Sequence, residues 1–264
     1  MGRADLAVQL PESVPTGVPL VLLHAFPLSS AMWAALVPEL ADVARLVLVD
    51  LPGLGGSPLP ATGDPSLDVS AEGVLAVLDR LDLPRAVLAG VSMGGYVAMA
   101  LARRHPGRIA GLALIDTKAE ADADEARANR LRMADAVLGD AGIRALVPML
   151  DTLLGSTTHA RRPDLVAAVR GWLAQAPPEG VAWSQRAMAA RPDSSQVLAG
   201  LSVPAAVVVG EQDVLTPPQA ARAMVEVLPD AVLTVVPGAG HLSPLEAPRE
   251  VARALTGLVV RAWP

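Results

Sequence analysis

The stretch Ala86-Val87-Leu88-Ala89-Gly90-Val91-Ser92-Met93-Gly94-Gly95 decides how the rest of the chain is read. Its first six residues form a continuous apolar run of strand length, and Gly95–Arg104 carries helical spacing. A strand that passes straight into a helix crowds the backbone on both sides of the turn. Glycines at 90 and 94 remove the Cβ atoms that would collide there. Ser92, at the tip, is expected to be strained and exposed, at a helix N-terminus whose N–H groups and dipole favour an oxyanion.

Outward from this turn, short apolar runs alternate with helix-period segments. Leu20–Leu23, Leu46–Asp50, Leu112–Ile115, Ala205–Val209 and Val232–Val236 read, with Ala86–Val91, as strands buried on both faces, because they are nearly continuous in Val and Leu rather than alternating. Met32–Leu40, Val69–Leu81 and Pro218–Leu228 read as helices between them, and Pro248–Arg261 as a closing helix. This alternation predicts a mostly parallel sheet joined by helical crossovers. Only residues 118–191 break the rhythm: they hold helix-like sequence rich in Ala, Arg and Leu, punctuated by Pro148, Gly155, Pro163, Gly171 and Pro177-Pro178. The expectation is one α/β domain over residues 1–264, with a helical cap at 118–191 inserted between two strands.

Composition limits the function classes. The formal charge is −6, so a nucleic-acid partner is not expected. Lys118 is the sole lysine, and the arginines are scattered. There is no cysteine, hence no disulfide, thiolate nucleophile or cysteine-ligated metal. The opening residues MGRADLAVQLPESVPTG lack the features of a secretory signal, and no apolar run is long enough to span a bilayer. A cytoplasmic protein that binds no membrane is the resulting expectation; composition says nothing of oligomeric state. Aromatic residues are 2% of the chain, so pockets must be shaped by Leu, Val, Met and the four tryptophans.

Gly90-Val91-Ser92-Met93-Gly94 fits the G-x-S-x-G nucleophile elbow, which makes Ser92 the candidate nucleophile. A serine hydroxyl needs a base. Of four histidines, His241 follows the strand Val232–Val236 in the loop Pro237-Gly238-Ala239-Gly240-His241 and is the candidate. His105 reads as a helix cap, His159 as a solvated residue, and His24 as the organiser of the turn after Leu20–Leu23. The base needs an acid to fix its tautomer. Asp213 follows the strand Ala205–Val209, at the same carboxyl edge of the sheet, and the order Ser, Asp, His is that of this elbow class. Glu211, two residues away, and Asp116, at the end of another strand, are its rivals. The oxyanion would be met by the backbone N–H of Met93 and by that of Phe26, since Pro27 has none to give.

With these pieces in place the chain resembles the α/β-hydrolase superfamily, and within it the small bacterial members related to 3-oxoadipate enol-lactonases and non-haem haloperoxidases. The resemblance rests on Leu22-Leu23-His24-Ala25-Phe26-Pro27, Asp50-Leu51-Pro52-Gly53-Leu54-Gly55-Gly56-Ser57, Gly90–Gly95, Val209-Gly210-Glu211-Gln212-Asp213 and Gly238-Ala239-Gly240-His241. It departs from the family in three ways. Ala25 stands where glycine is usual, a single strand near Leu6–Leu10 replaces a hairpin, and the 118–191 segment is the least family-like part.

The resemblance implies a cofactor-free serine hydrolase that cleaves a small-molecule carboxylic ester or lactone through an acyl-enzyme on Ser92. Trp172, Trp183 and Met188 are the candidate pocket walls in the cap, with Phe26 and Met93. Arg127, Arg130 and Arg132 could meet a substrate carboxylate or simply be solvated. Perhydrolysis of the haloperoxidase kind, carbon–carbon bond hydrolysis, or a receptor built on the same fold stay open as alternatives. Dehalogenase and epoxide hydrolase chemistry is disfavoured, because the elbow residue is serine rather than aspartate and Tyr96 is the sole tyrosine. No H-E-x-x-H, P-loop or dinucleotide fingerprint is present, and no metal is expected.

Overall fold

In the computed structural model, which describes residues 4–14 and 17–263, seven strands form one sheet in the order β1-β3-β2-β4-β5-β6-β7. They are β1 (Val8–Gln9), β2 (Pro19–Leu23), β3 (Arg45–Val49), β4 (Ala86–Val91), β5 (Ile109–Ile115), β6 (Ala205–Gly210) and β7 (Ala231–Val236). Only β1 runs antiparallel, on β3; every other neighbouring pair is parallel. Met1–Arg3, the start of the segment read for a targeting signal, lie outside the described residues. No helix among the described residues is long and apolar enough to cross a membrane.

The parallel strands need crossovers, and helices supply them. A 3-10 turn (Ser30–Trp33) and α1 (Val37–Leu40) join β2 to β3. The expected helix Met32–Leu40 is broken between these two pieces. Pro38 has no N–H with which to continue a helix, and stands at the start of α1, where none is needed. α2 (Leu67–Arg80), capped by the Ser66 hydroxyl, joins β3 to β4, and α3 (Met93–Arg104) joins β4 to β5. Between β5 and β6 lie α4 (Asp124–Leu138), a 3-10 segment (Gly142–Met149), α5 (Leu150–Leu153), α6 (Ser156–Arg161), α7 (Pro163–Gln175), α8 (Pro178–Ala189) and α9 (Ser195–Ala199). α10 (Pro218–Val227) connects β6 to β7, and α11 (Ser243–Glu246) and α12 (Pro248–Ala262) close the chain.

Strands β2, β4, β5 and β6 are buried along their whole length. Successive side chains point to opposite faces, so two apolar layers form. Val21, Leu88, Leu112 and Val207 pack with α2 and α3 on one face; Leu22, Ala89, Ala113 and Val208 pack with Trp33 and α12 on the other. Burying each Val or Leu side chain contributes roughly 1.5–3 kcal/mol. β7 differs from the expected doubly buried strand: it is the sheet's edge, and Val232 is 52% exposed. β1 is shorter than the Leu6–Leu10 strand expected, because only Val8 and Gln9 find partners, in Val49 and Leu48.

This order places β2 between β3 and β4, so the chain leaves β2 in one direction and returns on its other side. Such a reversal opens a crevice beyond the strands' carboxyl ends, where open α/β sheets bind ligands. The helical segment meets the core tightly where α8 passes the loop after β3. A Cβ on Gly180 of α8 would lie 1.9 Å from the carbonyl oxygen of Gly53, in the loop after β3. On Gly171 of α7 a Cβ would meet nothing within 4 Å. Gly180→Ala should therefore lower the melting temperature, whereas Gly171→Ala should raise it slightly, by the helix-propensity gain of about 1 kcal/mol. Thermal denaturation followed by circular dichroism checks both; equal effects would contradict this account.

Candidate active site

The turn from β4 into α3 is as tight as its glycines suggested. A Cβ on Gly90 would sit 2.2 Å from the Gly94 carbonyl oxygen, and one on Gly94 would sit 2.2 Å from that of Leu23. Ser92 has φ 52° and ψ −111°, a left-handed conformation costing on the order of 1–3 kcal/mol for a residue with a side chain. Its backbone is held on both sides: its N–H donates to the Ile115 carbonyl (2.9 Å), and its carbonyl accepts from the Thr117 hydroxyl (2.9 Å).

His241 and Asp213 come to this residue from the ends of β7 and β6. His241 Nε2 is 2.9 Å from Ser92 Oγ, and His241 Nδ1 is 2.8 Å from Asp213 Oδ2. Histidine and aspartate are both buried, whereas Ser92 is only partly so. Asp213 is saturated with donors. Its Oδ1 accepts the N–H groups of Leu215 (2.8 Å) and Thr216 (3.0 Å), and its Oδ2 accepts the Thr216 hydroxyl (2.7 Å) besides the imidazole. Burial by itself would raise its pKa, but the His241 hydrogen bond and charge, with the Thr216 donors, hold it below the ordinary carboxylate value. Burial would likewise lower the His241 pKa, yet the Asp213 hydrogen bond and charge, then Asp116 and Glu246, raise it above the ordinary imidazole value.

The two rival acids are engaged elsewhere. Glu211 accepts the N–H of Gly238 at 2.9 Å. Asp116, with φ 45° and no exposed surface, receives Gly210 N–H on Oδ1 (2.9 Å) and Ser243 N–H on Oδ2 (2.9 Å), and shares a 2.6 Å hydrogen bond with the Ser243 hydroxyl. It thus ties the end of β5 to the end of β6 and to the segment after His241. Burial, and then the charge of Asp213, push its pKa up to about 8.

Opposite Ser92 lies the turn after β2. His24, fully buried, donates from Nδ1 to the Ala25 carbonyl (2.9 Å) and accepts the Leu51 N–H on Nε2 (2.8 Å), a pattern that only the neutral ring satisfies. Burial lowers its pKa accordingly. Among the described residues, neither the Phe26 N–H nor the Met93 N–H donates to a protein acceptor. Both residues are buried beside the serine. His105 caps α3 and meets Glu72 at 3.0 Å. His159 is not solvated as expected but half-buried, with an Nε2 that has no partner.

A cavity of about 260 Å³ opens on Ser92 and His241. Phe26, Met149, Leu153, Met188 and Leu215 give it apolar walls, and Lys118, Asp122, Arg130 and Gln185 give it polar ones. Of the three pocket residues expected in the helical segment, only Met188 lines it. Trp172 borders a separate hollow with Pro27, Leu28 and Met32, and Trp183 packs, half-buried, against the main core. Both indoles serve packing because α7 and α8 turn those faces to the protein body. Of the three arginines, Arg130 reaches the cavity; Arg127 and Arg132 are exposed. Sequence reading missed Thr216, which stands 3.3 Å from His241 Nδ1 while donating to Asp213. It also missed Lys118 and Asp122, although a lone lysine in an arginine-rich chain was a visible signal.

Residues 18–248 match the family model described as the alpha/beta hydrolase fold. The chain belongs to the α/β-hydrolase family. It is 32% identical over 251 residues to the pimeloyl-[acyl-carrier protein] methyl ester esterase of Chromobacterium violaceum, covering 92% of this chain and 95% of that one. A thermophilic esterase from Thermogutta terrifontis, solved with malate bound, superposes with a TM-score of 0.93 at 37% identity, over 99% of this chain and 95% of that one. The enol-lactonase from Burkholderia xenovorans LB400 gives 0.88 at 26% identity, over 97% of each. A further relative, 34% identical over 239 residues, is longer, and this chain spans 61% of its length. This α/β hydrolase is thus an enzyme of the hydrolase fold with esterase and lactonase relatives.

The electrostatics of the pair can be read directly by NMR. The His241 imidazole should titrate above 6.5, and Asp213→Asn should bring that titration down, because the anion that stabilises the imidazolium is gone. A His241 that titrates at or below 6.5 in the intact protein would contradict the arrangement.

Proposed function

We propose that this α/β hydrolase is a serine hydrolase that cleaves a carboxylic ester or lactone of a small molecule through an acyl-enzyme on Ser92. The observation that carries the reading is the unbroken hydrogen-bonded line from Ser92 Oγ through His241 to Asp213, at 2.9 and 2.8 Å. In this reading Ser92 Oγ attacks the carbonyl carbon while its proton passes to His241 Nε2. Asp213 and Thr216 hold the ring so that Nδ1–H points at the carboxylate and Nε2 is left free to accept. The oxyanion draws on the N–H groups of Met93 and Phe26, each donor worth about 2.7–4 kcal/mol in the transition state. Collapse expels the alcohol oxygen, which takes the proton from His241. Water then gives a proton to His241 and attacks the acyl carbon; the second collapse returns the proton to Ser92 and releases the acid.

In this reading the segment between β5 and β6 is the cap expected over residues 118–191, and it supplies most of the residues that line the cavity. At about 260 Å³ the cavity is smaller than the roughly 300–1,000 Å³ usual for drug-sized ligands, which favours a compact substrate. The esterase and lactonase relatives support ester and lactone chemistry.

A fluorophosphonate probe should label Ser92 in the native protein, and short-chain esters should be turned over. Ser92→Ala and His241→Ala should each cost at least ~10³ in kcat, and Asp213→Asn somewhat less, because the oxyanion donors and binding remain. Steady-state kinetics checks this. A protein that neither labels nor hydrolyses any ester or lactone would be a receptor on the hydrolase fold instead, and an Asp116→Asn more damaging than Asp213→Asn would reassign the acid.

A further inference from the structure

The cavity holding Ser92 carries more positive charge than it can neutralise. Asp122 is its one carboxylate wall, with a side chain 3% exposed. Arg191, from behind the wall, takes both of its oxygens: Nη1 lies 2.8 Å from Oδ2 and Nη2 lies 2.8 Å from Oδ1. Arg191 is itself fixed, with its guanidinium carbon 4.0 Å from the Tyr96 ring centroid and further hydrogen bonds to the carbonyls of Met188 and Glu120. The Asp122–Arg191 pair is therefore neutral by itself, and Lys118 and Arg130 are left as two surplus cations on the cavity wall.

Neither cation is used up by the protein. Lys118 Nζ is 3.5 Å from Asp122, beyond a good hydrogen bond. Arg130 donates from Nε to Asp122 and from Nη1 to Gln185 (3.2 Å) and to the weak acceptor Met188 sulfur (3.4 Å); its Nη2 donates to no protein acceptor among the described residues. The side chains of Lys118 and Arg130 are only 27% and 22% exposed, so solvent compensates them poorly. Glu120, the other carboxylate acting on Arg191, is exposed and does not line the cavity. Nor can Asp122 give way to an incoming anion: although burial opposes it, Arg191 and Arg130 keep its carboxyl far below the usual range and ionised. A partly enclosed pair of cations with free donors, in the same small cavity as a nucleophile, is matched by an anion that arrives with the substrate.

We infer that Lys118 and Arg130 form a carboxylate-binding subsite, so that the substrate is a small ester or lactone bearing a second, free carboxylate that is not cleaved. This rests on the serine hydrolase reading and narrows its substrate. The carboxylate would accept from Arg130 Nη2 and Lys118 Nζ, while the scissile carbonyl lies at Ser92. Because ester hydrolysis releases an acid, an acyl-side carboxylate ester yields a dicarboxylate, whereas a carboxylate on the alcohol side leaves with the alcohol as a hydroxy acid.

The test compares matched charged and neutral substrates. One pair, monomethyl adipate and methyl hexanoate, places the carboxylate on the acyl side; another, 4-acetoxybutanoate and butyl acetate, places it on the alcohol side. At low salt the charged member of one pair should have a kcat/KM at least about tenfold above its neutral partner. That ratio should fall about tenfold in Arg130→Gln and in Lys118→Met, chiefly through KM, and should shrink as salt is raised. Lys118→Met leaves the Asp122–Arg191 pair intact, so it serves if the arginine variant folds poorly. Adipate should also bind the intact protein in calorimetry more tightly than hexanoate, and both variants should erase the difference. Neutral esters preferred in both pairs, or a ratio unmoved in both variants, would overturn the subsite while leaving the hydrolase reading intact. Failure of fluorophosphonate labelling together with turnover of no ester would sink the hydrolase reading, and the adipate and hexanoate binding comparison would still decide the subsite.

Discussion

The hydrogen bond from Ser92 Oγ to His241 Nε2 joins residues 149 positions apart, and the serine hydrolase reading depends on it. It exists because β4 and β7 end at the same rim of a parallel sheet, with β5 and β6 spacing them. Both ends of the bond are rigid. Ser92 is held by a turn that tolerates no Cβ at Gly90 or Gly94, and His241 by a carboxylate saturated with donors. An unfavourable φ at Ser92 is sustained because two apolar layers and the Ile115 and Thr117 hydrogen bonds over-determine the turn.

Two buried aspartates near the imidazole divide their work by environment. Asp213 has the imidazole and the Thr216 donors and is held ionised. Asp116, buried beside Asp213, has its pKa pushed up to about 8 by burial and then by the charge of Asp213. Its role is mechanical: by joining Gly210 and Ser243 it fixes the distance between the loops that carry Asp213 and His241. Glu246 makes a similar link on the other side, accepting Gly240 N–H on Oε1 (2.9 Å) and the Gly155 N–H and Thr158 hydroxyl on Oε2 (2.8 and 2.6 Å). The histidine loop is thereby bound to the helical segment as well as to the sheet.

Where local chemistry decides a feature, reading along the chain finds it; where packing between distant elements decides, it does not. The strand runs and the glycine-flanked turn at Ser92 are local, since a continuous Val/Leu run is a buried parallel strand and glycines remove a collision. β5 begins at Ile109, three residues before the expected Leu112, because Ile109 and Gly111 pair with Ala86 and Val87 of β4 while the weak-looking Ala110 is passed over at a bulge. β7 reads as buried by composition, yet edge position is a property of the sheet and not of the strand. The helix expected at Met32–Leu40 breaks at a proline whose cost the apolar spacing concealed.

The sequence by itself determined the α/β class, the glycine-flanked turn at Ser92 and the chain order of serine, aspartate and histidine. Each depends on residues adjacent in the chain or on a pattern with a short period. Only the tertiary structure decided which acid reaches the imidazole, since Glu211, Asp213 and Asp116 lie at one sheet edge and differ in direction. It alone also decided that Met188 faces the cavity while Trp172 and Trp183 do not, and that Lys118, Asp122, Arg130 and Arg191 converge. Those outcomes follow from how α4 and α8 rotate against each other and against the sheet, and a helix carries no local record of which partner its faces will meet.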